Sequence, residues 1–209
     1  MVVESPINIT KRKQIIRISQ KLINKGSGSN IAELLKKDAF TFNQISIDQL
    51  IKNTKYVIVG DIATRYYMPE RFMKDIDILI LAENNAQVEE ELLEMGYVQT
   101  GTLTIGRTSW KSPSGELLDV LVADEEWTYE AIHQANYFDD GLPIISLPYL
   151  VLMKLRSGRV QDIADITRMM GLADEKMLQK VKVTIQRYLP TALEDLESLI
   201  MLGKWEYGE

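Results

Sequence analysis

Asp75 and Asp77 stand two residues apart in the run Asp75-Ile-Asp-Ile78, and a third acid, Asp119, lies inside Leu117-Leu-Asp-Val-Leu-Val122. Both runs have the apolar, β-branched character of buried strands. Alternate residues of a strand face the same side, so Asp75 and Asp77 are expected to project together. Carboxylates held side by side among apolar neighbours repel each other and are costly to desolvate. A divalent cation removes both problems, and Mg²⁺ is the hard, oxygen-seeking ion usually held by one or two carboxylates together with substrate phosphates. Three such acids suffice for two ions, one activating an attacking hydroxyl and one steadying a leaving pyrophosphate. Any one of these aspartates reads more simply as an edge-strand or capping residue. The set, following a strand, a glycine and a helix, carries the chemical reading.

The elements that must position these acids follow from local pattern. Tyr56-Val-Ile-Val59 reads as a buried strand that stops at Gly60. Asp61 is placed to cap a helix over Ile62–Tyr67, which Met68-Pro69 ends. A second strand is expected over Asp75–Leu81, then a helix over Glu83–Met95 closed by Gly96. Three strands are expected at Tyr97–Ile105, Thr108–Ser112 and Leu117–Val122, the last two joined by the turn Ser112-Pro-Ser-Gly115. Upstream, helices are expected over Ile9–Asn24, from Asn30 through Ala39, and around Ile47–Lys52. Downstream the pattern is helical: Trp127–Ala135, Leu147–Leu155, Val160–Met170, Asp174–Tyr188 and Thr191–Leu202. The division expected is N-terminal helices over residues 1–40, an α/β core over 41–124 and a C-terminal helical domain over 125–209.

Several cations lie near the acidic runs. Arg65 sits one turn into the helix after Asp61, and Arg71 and Lys74 flank the entry to the second strand. Each has the chemistry to meet phosphate oxygens. For Lys74 an ordinary surface cation is the simpler reading. Lys154 lies in the apolar stretch Leu150-Val-Leu-Met-Lys-Leu155, where its head group must find a partner or snorkel to solvent. Asp162 and Asp165 share one helix face, and Asp162 is a candidate to orient Lys154 or reach an acceptor. Asp165 is expected to pair with Arg168. The lone His133 has no acidic or nucleophilic companion in sequence, Trp110 reads as strand packing, and the nine methionines read as core filler.

The order strand, glycine, helix, Asp-x-Asp strand and later lone Asp resembles the nucleotidyltransferase superfamily, the polymerase-β-like fold. Val57-Ile-Val-Gly-Asp-Ile-Ala-Thr-Arg-Tyr-Tyr67 and Arg71-Phe-Met-Lys-Asp-Ile-Asp-Ile-Leu79 look more particularly like the AbiEii-type toxin group and its small bacterial relatives. Leu147–Arg156 and Gly158–Ile166 are similar to that group's downstream lysine motif and Asp-x-x-Asp helix. The resemblance implies an α/β nucleotidyltransferase core with a mixed sheet flanked by helices, plus a C-terminal helical domain. It implies transfer of a nucleoside monophosphate from an NTP to an acceptor, with one or two Mg²⁺ ions on Asp75, Asp77 and Asp119. Gly60, Asp61, Arg65, Arg71 and Asp162 would line the nucleotide, with Lys154 neutralising phosphate. In the toxin group the acceptor can be tRNA, within a toxin–antitoxin or phage-defence setting that implies a cognate antitoxin.

The chain departs from the family pattern at two positions. Asp61 replaces a second small residue whose backbone and hydroxyl cradle phosphate, and Met73 stands where a Ser or Thr is common. Two alternatives therefore stay open. One is a catalytically degenerate member that binds nucleotide, RNA or a protein partner. The other is an enzyme acting on a small, aminoglycoside-like molecule.

The composition bounds the rest. The chain has 209 residues, 45% of them hydrophobic, no cysteine and a net charge of −6. Disulfides and thiolate-bound zinc are excluded. No stretch approaches the length needed to span a bilayer, and Lys11, Arg12, Lys13 and Arg17 break up the N-terminus, so no membrane partner or secretory signal is expected and a cytoplasmic address fits. An acidic chain is poorly suited to holding nucleic acid nonspecifically, although a local basic patch remains compatible with RNA.

Overall fold

A computed structural model describes residues 47–68, 76–104, 106–138 and 141–208. The helices expected before residue 40 lie outside the described residues, as do Arg71, Met73, Lys74 and Asp75. The chain divides into two units, the boundary falling between Ser146 and Leu147.

The first unit opens with a short helix α1 (Ile47–Leu50), then strand β1 (Tyr56–Val59), helix α2 (Gly60–Tyr67) and strand β2 (Ile76–Leu81). A 3₁₀ turn at Ala82–Asn84 leads into helix α3 (Asn85–Glu94). Strands β3 (Val98–Thr104), β4 (Arg107–Lys111) and β5 (Leu117–Ala123) follow, then helix α4 (Glu126–His133). Two short strands, β6 (Asn136–Tyr137) and β7 (Pro143–Ile144), complete the unit. The sheet is seven-stranded and mixed, in the order β3-β4-β5-β2-β1-β7-β6. β2 runs antiparallel to β1 but parallel to β5, while β7 adds in parallel to β1. The architecture is α/β with a mixed sheet and flanking helices, as expected.

One face of the sheet carries Tyr56, Ile58, Ile78, Ile80, Trp110, Leu118 and Val120, packed with Leu50, Val88 and Leu92 into a single buried cluster. The apolar strand residues are forced inward because both faces are covered. The opposite face buries Val57, Val59, Leu79 and Leu81, and α4 packs against β1 and β2. Asp77 and Asp119 share that second face.

Three details differ from sequence expectation. Asp61 does not cap α2: the helix starts at Gly60, two residues before the expected Ile62, its N-cap is Val59 without a side-chain cap, and Asp61 falls in the first turn. Strands β6 and β7 come from a stretch with no strand signal of its own; β7 is held by its neighbour, with Ile145 N–H donating to the Ile58 carbonyl at 3.0 Å. The sheet unit thus runs on to Ser146, past the expected limit at residue 124, because α4, β6 and β7 pack with the sheet.

The second unit, described from Leu147 on, is helical: α5 (Leu147–Ser157), α6 (Val160–Leu172), α7 (Glu175–Tyr188) and α8 (Leu193–Glu206). Asp174 caps α7, its carboxylate accepting the Met177 N–H at 2.7 Å. α6 and α8 approach closely at paired glycines. A Cβ on Gly203 would lie 2.1 Å from the Thr167 carbonyl oxygen, so only glycine permits the contact. Among the described residues no helix is long and apolar enough to cross a membrane.

Candidate functional site

The site is built at one end of the central strands. β2 and β5 pair in parallel with Asp77 directly opposite Asp119, and Val59, the last residue of β1, pairs with Asp77 from the other side. The two carboxylates therefore project side by side where the chain leaves β1 for α2. Their side chains retain 15% and 11% of their exposure.

Gly60 makes this placement possible in two ways. Its φ is +62°, a left-handed conformation that side chains disfavour. A Cβ there would lie 2.0 Å from Oδ2 of Asp77. The Asp77 carboxylate thus occupies the space that any other residue at position 60 would fill. The resemblance has Gly60 lining the nucleotide; the structure adds that its missing side chain makes room for Asp77.

Two partners of the acids escaped sequence reading. Ser109 Oγ donates to Oδ1 of Asp119 at 2.5 Å. Nη2 of Arg107 donates to Oδ1 of Asp77 at 3.2 Å and also to Oδ2 of Asp119, so one nitrogen bridges both carboxylates. Gly106 sets this up: at φ +83° it turns the β3–β4 connection, and its carbonyl accepts the Val122 N–H at 2.7 Å. The turn Ser112–Gly115 is the signal that could have found Ser109, since a hairpin closing Lys111 opposite Leu117 sets Ser109 opposite Asp119. Arg107 was missed because the expected strand began at Thr108.

As a metal centre, the described part of the site offers two carboxylates on neighbouring strands, all-oxygen donors of the type Mg²⁺ prefers. Among the described residues no group of three potential ligands gathers, Asp75 lying outside them. The donor chemistry fits a divalent cation, with the Arg107 guanidinium as a competing counter-charge.

Of the other expected site residues, Asp61 lies in the first turn of α2, where the helix dipole favours a negative charge, and Arg65 lies in its last turn, half-buried. Lys154 and Asp162 fall in the helical unit and bind each other there. Lys154 Nζ donates to Asp162 at 3.0 Å and to Asp165 at 2.8 Å, all three side chains being buried. Lys154 therefore does not snorkel. Asp162 also accepts from Ser157 Oγ at 2.6 Å and Arg159 Nε at 2.7 Å. Burial pushes its carboxyl pKa up, but Arg159, Lys154 and Ser157 together outweigh that and hold it below the usual range. The expected Asp165–Arg168 pair does not form; Arg168 bonds Glu206 of α8 instead, because Asp165 turns inward to Lys154.

His133 takes no part in the site: it is exposed, its Nδ1 2.8 Å from the Tyr129 carbonyl oxygen one turn back. Trp110 is a core residue whose Nε1–H bonds Thr108.

No family model and no curated protein matches the chain. Among solved structures it resembles ANT(2")-Ia in complex with adenylyl-2"-tobramycin, at TM-score 0.44 and 16% identity over 78% of this chain and 97% of that one. It also resembles TM1012 from Thermotoga maritima, at TM-score 0.40 and 16% identity over 73% and 90%. The Cid1 poly(U) polymerase follows at TM-score 0.29 and 13% identity over 78% and 46%. Likeness at this level leaves the functional reading to the chain's own residues.

Proposed function

We propose that this protein is a Mg²⁺-dependent nucleotidyltransferase that moves a nucleoside monophosphate from an NTP to an acceptor hydroxyl. The carrying observation is the pair Asp77–Asp119, in register on parallel strands beside a glycine whose missing side chain leaves room for a carboxylate. Asp75, Asp77 and Asp119 would hold the metal, which when bound would supply charge neutralisation at the triphosphate. Asp119 takes the acceptor's proton as the acceptor oxygen bonds to the α-phosphorus and the bond to pyrophosphate breaks. Arg65 and Arg71 meet phosphate oxygens. Lys154 is left out of this role, its charge already matched by Asp162 and Asp165. Most of the rate enhancement in such a site comes from positioning and charge stabilisation. The likeness of both motifs to the AbiEii-type group makes tRNA the first acceptor to test.

A second reading, a binding protein without turnover, draws on Asp61 and on the arginine that bridges the acids. The deciding experiment incubates the chain with Mg²⁺, each α-labelled NTP and either total tRNA or an aminoglycoside, beside Asp77→Asn. Label transfer that Asp77→Asn lowers by about 10³-fold or more supports the enzyme. Nucleotide binding with no transfer supports the second reading, and transfer gained only in Asp61→Ser would locate the lesion.

A further inference from the structure

We propose that Arg107 is a built-in, displaceable counter-cation that sets the affinity of the Asp77–Asp119 pair for a divalent metal. The inference rests on the reading of that pair as a metal site and goes beyond it by assigning a role to a residue outside the acidic motif.

Two carboxylates directly opposite on adjacent strands repel and must be neutralised in the folded chain. Arg107 contributes to this: its Nη2 reaches both Asp77 and Asp119. The seating is a weak one. An arginine at its best binds a carboxylate through two parallel N–H bonds. Here a single nitrogen is shared between two acids, while Nε is buried without a hydrogen-bond partner. A buried donor left unmade costs free energy that solvent would return. The side chain is 32% exposed, so the guanidinium has a short path to water. A metal ion on the same two carboxylates and the guanidinium on both are mutually exclusive, since like charges at that distance repel. Metal uptake therefore requires Arg107 to swing out, and the energy of its two bonds is subtracted from metal affinity. Freed, the guanidinium stands beside the site as a cation available to an anionic ligand.

The test is Mn²⁺ binding to the full chain, followed by the electron paramagnetic resonance of free Mn²⁺, in wild type, Arg107→Gln, Arg107→Met and Asp77→Asn. Removing the competitor is expected to tighten Mn²⁺ binding about tenfold, equivalent to about 1.4 kcal/mol, while Asp77→Asn abolishes it. Thermal unfolding gives a second readout independent of activity. In EDTA both Arg107 variants should unfold below wild type, because the carboxylates lose their counter-charge. In saturating Mg²⁺ that order should reverse, because a ligand bound to the folded state stabilises it in proportion to its affinity. Gln keeps a polar stem if Met fails to fold. Equal Mn²⁺ affinity in wild type and Arg107→Gln, with binding still lost in Asp77→Asn, overturns the inference and leaves the metal site standing. Absence of Mn²⁺ binding in every protein overturns both.

Discussion

Gly60 and Asp77 show how one atom decides a site. The left-handed backbone at Gly60 and the 2.0 Å approach of its virtual Cβ to Asp77 are two separate barriers to any side chain there. Gly60→Ala is expected to destabilise the fold by about 1–3 kcal/mol from the backbone alone, and to push the Asp77 carboxylate off its position. Urea unfolding measures the first effect; loss of Mn²⁺ binding in the folded variant measures the second. A variant with wild-type stability and metal binding would refute this account of Gly60. At the same scale the sequence was partly misleading. It shows Asp61 as a cap, whereas the helix begins at Gly60 and Asp61 stands in its first turn. Cap position depends on where the preceding strand releases the chain, and that is set by pairing with β2.

Lys154 and its acids belong to the scale of elements. α5 and α6 are joined through Lys154, Asp162 and Asp165, and the junction residues Ser157 and Arg159 bind the same carboxylate. A buried ionic group of this kind is costly to break from one side. Asp162 carries a pH signature. Its folded pKa lies below the value near 3.9 of an unfolded aspartate. Its contribution is therefore fully present above about pH 4–5 and is lost as pH falls through the folded pKa. Urea unfolding of wild type and Asp162→Asn from pH 7 to pH 3 should show a wild-type advantage that shrinks below about pH 4. A constant difference would refute it. Apolar periodicity located these helices to within a few residues, since burial of one face repeats every three to four positions. It did not show which cation each acid would choose, because Asp165 has both Lys154 and Arg168 within reach along the chain.

The whole molecule carries a net charge of −6, which bears on how an RNA acceptor would be held. Affinity for RNA grows with the number of phosphates neutralised, and an acidic surface offers few cations. Binding of tRNA measured by fluorescence anisotropy should be weak at physiological salt, with a slope of log affinity against log salt of about −2 or shallower for single-stranded contacts. A steep slope would point to a basic face that net charge conceals. The sequence by itself determined the α/β architecture, the strand β1 to the residue and the helical C-terminal unit, and it placed Asp77 and Asp119 in apolar strands, because hydrophobic period and misplaced charge are local signals. Strands β6 and β7, the boundary at Ser146, the turn of Asp165 to Lys154 and the bridge of Arg107 across Asp77 and Asp119 were decided only by tertiary structure. The physical reason is that strand pairing and counter-ion choice are made between residues distant in the chain, where register and burial, not neighbouring sequence, fix which groups meet.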